Sequence, residues 1–478
     1  MSVTTAPSTY DRVYLGGAWV EPSTTEHFEV ENPATEEVAG RIPWVGAADV
    51  DKAVAAARAA FPAWSTTSLE QRQEAIRRIA AGLEARADEL TVLLAAEMGC
   101  PVTFGRTYQV GLGLITLATV PALVEEVRWH TRTENTDVLR VPVGVVGVIT
   151  PWNYPLHQLI GKVAYAIAAG NTVVVKPSEL APLSAFVLAE IIHAAGLPAG
   201  VFNLVTGPGP IVGEHIVTHP EVDMVTFTGS TRTGRRLAEL AAPQVKPLAL
   251  ELGGKSANVW LDDVDIAKTA PDAVFKAFVN SGQTCIALTR LLVPRSRLAE
   301  AEQAIAAVVS QYTTGDPLSP ATQLGPLINK AAREKVLSYI DIGLEEGARL
   351  LTGGPGKVDG VERGYYVQPT VFTDVSPTAT IAQEEIFGPV LAIIAYDTED
   401  EAVAIANNSP YGLYGAVSSA DPRRAGAIAA RIHTGSIEIN GAAFNPLAPF
   451  GGVKQSGHGR EYGVWGFDEF TTVKAISY

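Results

Sequence analysis

Cysteine is nearly absent from this chain: Cys100 and Cys285 are its only two thiols in 478 residues. That excludes a disulfide framework, which is short and cysteine-dense. Long basic runs are missing as well. With 36 Lys and Arg against 51 Asp and Glu the formal net charge is −15, and so acidic a chain repels the phosphates of nucleic acid. No segment approaches the ~20 continuous apolar residues of a membrane span. The opening MSVTTAPSTY lacks a basic start, an apolar stretch and a small-residue cleavage site, so it reads as a loose tail and not a signal. These absences predict a protein of the cytoplasm without nucleic-acid or membrane partners.

What the chain does have is apolar substance. Hydrophobic residues make up 47% and charged residues 18%, enough for large cores and against disorder. Its length exceeds one ordinary core and predicts two or three domains. Short strand-like pieces around VYLGGAWV and FEVENPATEEVAGRIP come first, and two long helical segments come next. From Val145 apolar strands and helices alternate: VVGVIT, LHQLIGKVAYAIAAG, NTVVVK, LSAFVLAEIIHAAG, VFNLVT, MVTFT, TRTGRRLAELAA, PLALEL. Such alternation predicts βαβ units on a parallel sheet, hence an α/β fold. A second series starts after Lys255 and runs to about Trp465, and the residues from Glu125 to Val141 and the tail DEFTTVKAISY read as extended ribbons.

Several positions carry chemistry. Cys285, in NSGQTCIALTR, lies in a loop between a helix and the strand RLLVPR. A thiolate adds to carbonyls far more readily than a hydroxyl does, but a free cysteine is also commonly a small buried hydrophobe. Glu251 ends the strand of PLALELGGK. A carboxylate there points into the crevice where α/β proteins bind ligands and suits a general base; a strand-end salt bridge is the plain alternative. Asn153 sits between Pro151 and Pro155 in ITPWNYP, placed either to donate to an oxyanion or to cap the next helix. In FTGSTRTG, Gly229 and Gly234 leave room for a phosphate at a helix N-terminus. Lys176 and Glu179 of VKPSE come just after a strand; Glu179 suits a ribose 2′-hydroxyl and opposes a 2′-phosphate, although both could be solvated surface charges. A thiol, a carboxylate, an amide and a phosphate cradle together make up a set for oxidising an aldehyde through a covalent intermediate.

The segments TPWNYP, VVVKPSE, FTGST, LELGGKSAN, GQTC, EEIFGPV and PFGGVKQSGHGREYG closely resemble the aldehyde dehydrogenase superfamily, in its order and spacing over nearly the whole chain. The resemblance implies Cys285 as nucleophile, Glu251 as general base and Asn153 as oxyanion donor together with the cysteine's N–H. Lys162 and Glu461 match a polar pair sometimes assigned to proton transfer. NAD is the implied cofactor, with NADP less favoured. Trp152, Lys176 and Glu179 match adenosine-side contacts, with Thr150, Pro151 and Ser178 beside them. Gly229, Ser230 and Thr233 match the pyrophosphate segment, with Gly209, Gly213 and Phe227 nearby. Glu385 and Phe387 match the nicotinamide-side ribose contacts, with Leu252 and Gly253 adjoining. No metal is implied. The implied architecture is a Rossmann-like NAD-binding domain over residues 1–124 and 143–253, and an α/β catalytic domain over 254–466. A β ribbon of 125–142 and 467–478 would join subunits into a homodimer or homotetramer.

For the substrate, Tyr154, Gln158 and Gly161 come after Asn153 at helical spacing and are expected to line a tunnel. Ile286 flanks the nucleophile, and Phe444 and Phe450 are expected at the tunnel mouth. The empty position at Gly161 predicts room for a ring or medium-length chain. The lack of an arginine among these positions argues against a carboxylate tail, and His157 reads as a packed or surface residue. Aromatic or medium-chain aliphatic aldehydes are therefore the expected substrates. The rivals are a CoA-acylating dehydrogenase, which needs no water-activating base, and a non-catalytic binding protein on the same fold.

Overall fold

The computed structural model describes residues 8–478; most of the polar opening expected as a tail, residues 1–7, lies outside them. Two sheets dominate. The first has eight strands in the order Gly457–His458, Leu248–Glu251, Met224–Thr228, Val145–Ile149, Thr172–Lys176, Phe202–Leu204, Val13–Leu15 and Ala18–Val20. The five strands from Leu248–Glu251 to Phe202–Leu204 are mutually parallel, and the flanking pairings are antiparallel. Helices cover both faces of such a sheet, so its strands are apolar throughout: all five residues of Val145–Ile149 are buried. The chain runs outward one way from Val145–Ile149 through Phe202–Leu204, then returns to its other side with Met224–Thr228. That reversal is the topological switch point at which a parallel sheet opens a crevice beyond its strand ends.

The second sheet has seven strands in the order Arg349–Thr352, Thr370–Thr373, Val390–Tyr396, Arg290–Pro294, Ala257–Trp260, Gly415–Ser418 and Glu438–Ile439, with only the first pairing antiparallel. Thr471–Ser477 pairs antiparallel along Thr136–Pro142, which also pairs with His130–Thr133.

Four sequence expectations need correction. The segment from Glu125 does not start as ribbon: Glu125 and Glu126 close the helix Gly111–Glu126, and at the far end Gly466–Glu469 is a short helix before the strand begins at Thr471. Instead of two long helices, Ala47–Ser65, Leu69–Ala85 and Ala87–Met98 all precede Gly111–Glu126, because Ser68 caps the second by accepting from Gln71 N–H and Gly99 ends the third at φ 72°. The helical stretch Val102–Glu126 is, by length and composition, apolar enough to cross a membrane, and half of it is buried within the fold. Its Leu117, Val120 and Val124 belong to the main core. Finally, Gly457–His458, expected in the second unit, pairs with Leu248–Glu251 in the first sheet.

The helix Pro155–Ala169 is buried along its entire length. Pro155 opens it, where a missing N–H costs nothing, and Gly170 closes it at φ 96°. Packing on every side holds this helix rigid, and with it His157, Gln158 and Lys162, three of its buried polar residues.

Candidate active site

The helix Ile266–Phe278, capped by Asp265, stops short of Cys285. Asn280, Ser281 and Gly282 then take left-handed backbone angles in succession, φ 52°, 56° and 75°. Two non-glycine residues in that region store strain, which their partners must hold. Asn280 Nδ2 donates to the Asn153 carbonyl at 3.0 Å, and Ser281 Oγ donates to the Gly325 carbonyl at 2.8 Å. A Cβ on Gly282 would lie 2.1 Å from the Gly388 carbonyl oxygen, so only glycine fits there. Asn153 ties this loop to the switch point. Its Nδ2 donates to the Gln283 carbonyl at 2.9 Å, and Gln109 Nε2 donates to its backbone oxygen at 2.8 Å. One hydrogen of the Asn153 amide is used in this way, and the other is left for a further acceptor.

Cys285 is half-buried and lines two cavities that meet at it. Burial pushes its thiol pKa well above the ordinary value, and the carboxylates of Glu385, Glu251 and Glu461 add to the rise. This environment favours the thiol over the thiolate at rest. Cys100 is fully buried elsewhere, against Gly105.

Glu251 does not point into the crevice as expected. Its carboxyl lines a small cavity with Lys162, Thr226 and Glu461, and neither of its oxygens has a hydrogen-bond partner. Burial, then the neighbouring Glu461, holds its pKa well up, against the pull of Lys162. An ionised carboxylate there would be unpaired and desolvated, so the neutral acid is favoured. Lys162 makes its ion pair with Glu461 instead, and also donates to Thr226 Oγ1 at 3.1 Å.

The larger cavity, about 720 Å³, is a groove along the C-terminal ends of the first sheet. Thr150, Pro151 and Trp152 line it beyond Val145–Ile149; Lys176, Ser178 and Glu179 line it beyond Thr172–Lys176. Phe227, Gly229, Ser230 and Thr233 come from the next strand and helix, and Gly209 and Gly213 from the facing turn. Leu252, Gly253, Glu385 and Phe387 close the end nearest Cys285. Ser230 caps the helix Thr231–Ala241 by accepting from Thr233 N–H, and the N-terminal end of that helix faces the groove. Lys176 donates to Glu179 at 2.9 Å, and burial lowers its pKa. The Thr150 hydroxyl is buried without a partner, as expected of a group whose acceptor is a ligand. The glycines differ from expectation. A Cβ on Gly229 would strike the Phe227 ring at 2.4 Å, and one on Gly234 would strike Leu252 at 2.6 Å. The Phe227 ring against Gly229 and the Leu252 side chain against Gly234 require these glycines, and of the two only Gly229 also lines the groove. Arg232, Arg236 and Lys335 also line the groove; sequence reasoning misses them because exposed cations on a helix carry no distinctive spacing.

The smaller cavity, about 320 Å³, is lined by Tyr154, Gln158, Ile286, Phe444 and Phe450 as expected. Gly161 is absent from it. The glycine instead faces Tyr462, whose hydroxyl bonds His157 Nε2 at 2.9 Å and whose ring packs at 5.5 Å from Phe444. Tyr462, which the sequence does not single out, and His157, read from sequence as a packed or surface residue, are thus wall residues. Burial lowers the His157 pKa to about 4, so its imidazole is neutral. Asp272, Lys276, Tyr414 and Glu438 line the same cavity; the available signal is Asp272 and Lys276 at i, i+4 on one face of the helix Ile266–Phe278.

The Aldehyde dehydrogenase family model matches residues 19–476. The chain is 47% identical to a 3-succinoylsemialdehyde-pyridine dehydrogenase of a Pseudomonas species, over 98% of both chains. Its structure superposes with a TM-score of 0.97 on aldehyde dehydrogenase C of Pseudomonas syringae, solved with NAD+ and octanal, at 49% identity over 98% of this chain and 96% of that one. It superposes equally well, TM-score 0.97, on a Mycobacterium tuberculosis aldehyde dehydrogenase complexed with NAD+, at 45% identity over 99% of both chains. The fold, the two cavities meeting at one thiol and these likenesses agree: the chain belongs to the aldehyde dehydrogenase family.

Proposed function

We propose that this protein oxidises aromatic or medium-chain aliphatic aldehydes to carboxylic acids with NAD, through a thiohemiacetal and a thioester on Cys285. The observation that carries this reading is the position of Cys285, where a groove with a free helix N-terminus meets an apolar, aromatic cavity. The relatives support it from both sides: one was solved with octanal and NAD+, and another is named for a pyridine-bearing semialdehyde.

NAD is the cofactor, and the groove suits it. Glu179, held by Lys176, would take the adenosine ribose, and the N-terminus of Thr231–Ala241 the pyrophosphate. Glu385 and Phe387 would flank the nicotinamide-side ribose. When bound, NAD supplies the hydride acceptor. The protein's own residues do the rest. The Cys285 thiol gives up its proton to solvent in the groove and its sulfur adds to the aldehyde carbon, while the free N–H of Asn153 and the Cys285 N–H hold the oxyanion. Loss of the aldehyde hydrogen as hydride leaves a thioester. Glu251 gives its proton to solvent as it turns toward the sulfur, out of the buried compartment with Lys162 and Glu461 that holds its pKa up, and the carboxylate takes a proton from the hydrolytic water. That buried base separates hydrolysis from transfer to CoA.

The first-sheet unit, residues 1–124 and 143–253, would bind NAD, and 254–466 would carry the thiol. The ribbon strand Thr471–Ser477, with Val473 63% exposed, would join copies into a homodimer or homotetramer in the cytoplasm. The test is NADH formation across an aldehyde panel with and without CoA. Turnover that requires CoA, or none with any aldehyde, overturns the reading.

A further inference from the structure

The aldehyde cavity is not apolar all round. Beyond its aromatic side, the charged residues that line it are Asp272, Lys276 and Glu438. Lys276 is the one cation among them, and it is already engaged: its Nζ pairs with Glu438 and lies 3.1 Å from Asp272 Oδ2. Glu438, 7% exposed, also accepts from the Tyr414 hydroxyl at 2.8 Å. Two carboxylates against one ammonium leave this wall with an excess negative charge. The side chains of Lys276 and Glu438 are largely withdrawn from water, at 19% and 6% exposure, so solvent screens that charge only in part.

We infer that Asp272 and Glu438 set the charge preference of the cavity, barring aldehydes whose far end is a carboxylate and admitting those whose far end is neutral. Lys276 cannot serve as a carboxylate anchor while both acids hold it. An incoming anion that took Lys276 from Glu438 would leave that buried acid unpaired, and one that took it from Asp272 would face the Glu438 carboxylate across the same ammonium. The inference rests on the cavity being the aldehyde site, and it assigns Asp272 and Glu438 as specificity-determining residues for that reaction.

The test compares kcat/KM for hexanal and adipic semialdehyde, which share a six-carbon chain and differ in the terminal carboxylate. The wild type is expected to favour hexanal by about tenfold or more. Glu438→Gln keeps the shape and polar contacts of the site, and Asp272→Asn removes charge at the more exposed position, where folding is less at risk. Each is expected to narrow the ratio several-fold by raising kcat/KM for adipic semialdehyde relative to hexanal. A wild-type ratio near one overturns the inference, and so does a ratio unchanged in both variants, because a purely structural role moves both substrates together. Hexanal turnover by itself tests the parent reading. If it fails, calorimetric binding of the same two aldehydes to Cys285→Ala still reports the charge preference.

Discussion

Gly161 and Tyr462 share one space: a Cβ built on Gly161 would lie 2.9 Å from the Tyr462 hydroxyl oxygen. That hydroxyl cannot easily retreat, since it is bonded to the buried His157 at 2.9 Å and its ring packs on Phe444. The glycine therefore makes room for a tyrosine of the cavity wall, not directly for substrate.

Gly161→Ala should accordingly lower stability by about 1–3 kcal/mol, the usual cost of overpacking. Tyr462→Phe, which removes the crowded oxygen, should recover part of that loss in the double variant. Thermal denaturation of the three variants checks this. An unchanged melting temperature in Gly161→Ala, with a selective loss of large aldehydes, would return Gly161 to the tunnel wall.

Cys285→Ala should abolish dehydrogenase activity and still bind NAD, whereas Cys100→Ala should leave turnover nearly unchanged. Because burial and three nearby carboxylates raise the Cys285 pKa, alkylation of the cofactor-free protein by iodoacetamide should quicken with pH and show no plateau up to pH ~9, above the free-thiol value of ~8.5. A plateau near neutrality would mean that the resting sulfur is a thiolate.

Glu251→Gln should fold normally, since the carboxyl it replaces makes no hydrogen bond. Stopped-flow mixing with NAD and aldehyde should show a rapid NADH burst and then a very slow steady state. Equal loss of both phases would remove Glu251 from the hydrolytic step.

Glu97 is fully buried and caps the helix Leu183–Ala194 through the N–H groups of Leu183 and Ser184, at 2.7 and 3.2 Å. Burial nonetheless raises its pKa from 4.5 to about 7. An acid whose folded pKa is raised binds its proton more tightly in the folded state, so this group makes stability fall as pH rises through that window. The fall amounts to about 3 kcal/mol at most. Melting temperatures from pH 5 to 7 should drop more steeply in the wild type than in Glu97→Gln; parallel curves would refute the assignment.

Glu179, partnered by Lys176 at 2.9 Å, should give a higher kcat/KM with NAD than with NADP, because its charge opposes a 2′-phosphate. Glu179→Ser should narrow that gap. A wild type that favours NADP would contradict the placement of Glu179 on the ribose.

The α/β character and the strand-end positions of the candidate reactive groups are legible in local sequence. Strands buried on both faces must be continuously apolar, as in Val145–Ile149, and residues such as Asn153 and Glu251 lie just past or at the ends of strands whose limits are written locally in Pro and Gly. The lining of the larger groove follows the same rule, because it comes from the strand ends and the turns after them. What lies between segments distant in the chain comes from long-range packing. Tyr462 fills the space beside Gly161, Glu438 meets Lys276 across 162 residues, and Gly457–His458 crosses into the first sheet. Glu251 likewise turns toward Lys162 and Glu461, away from the crevice that its strand-end position predicts. Helical spacing says which residues share a face, but what that face meets depends on long-range packing and on where buried charges find partners, and no local pattern encodes either.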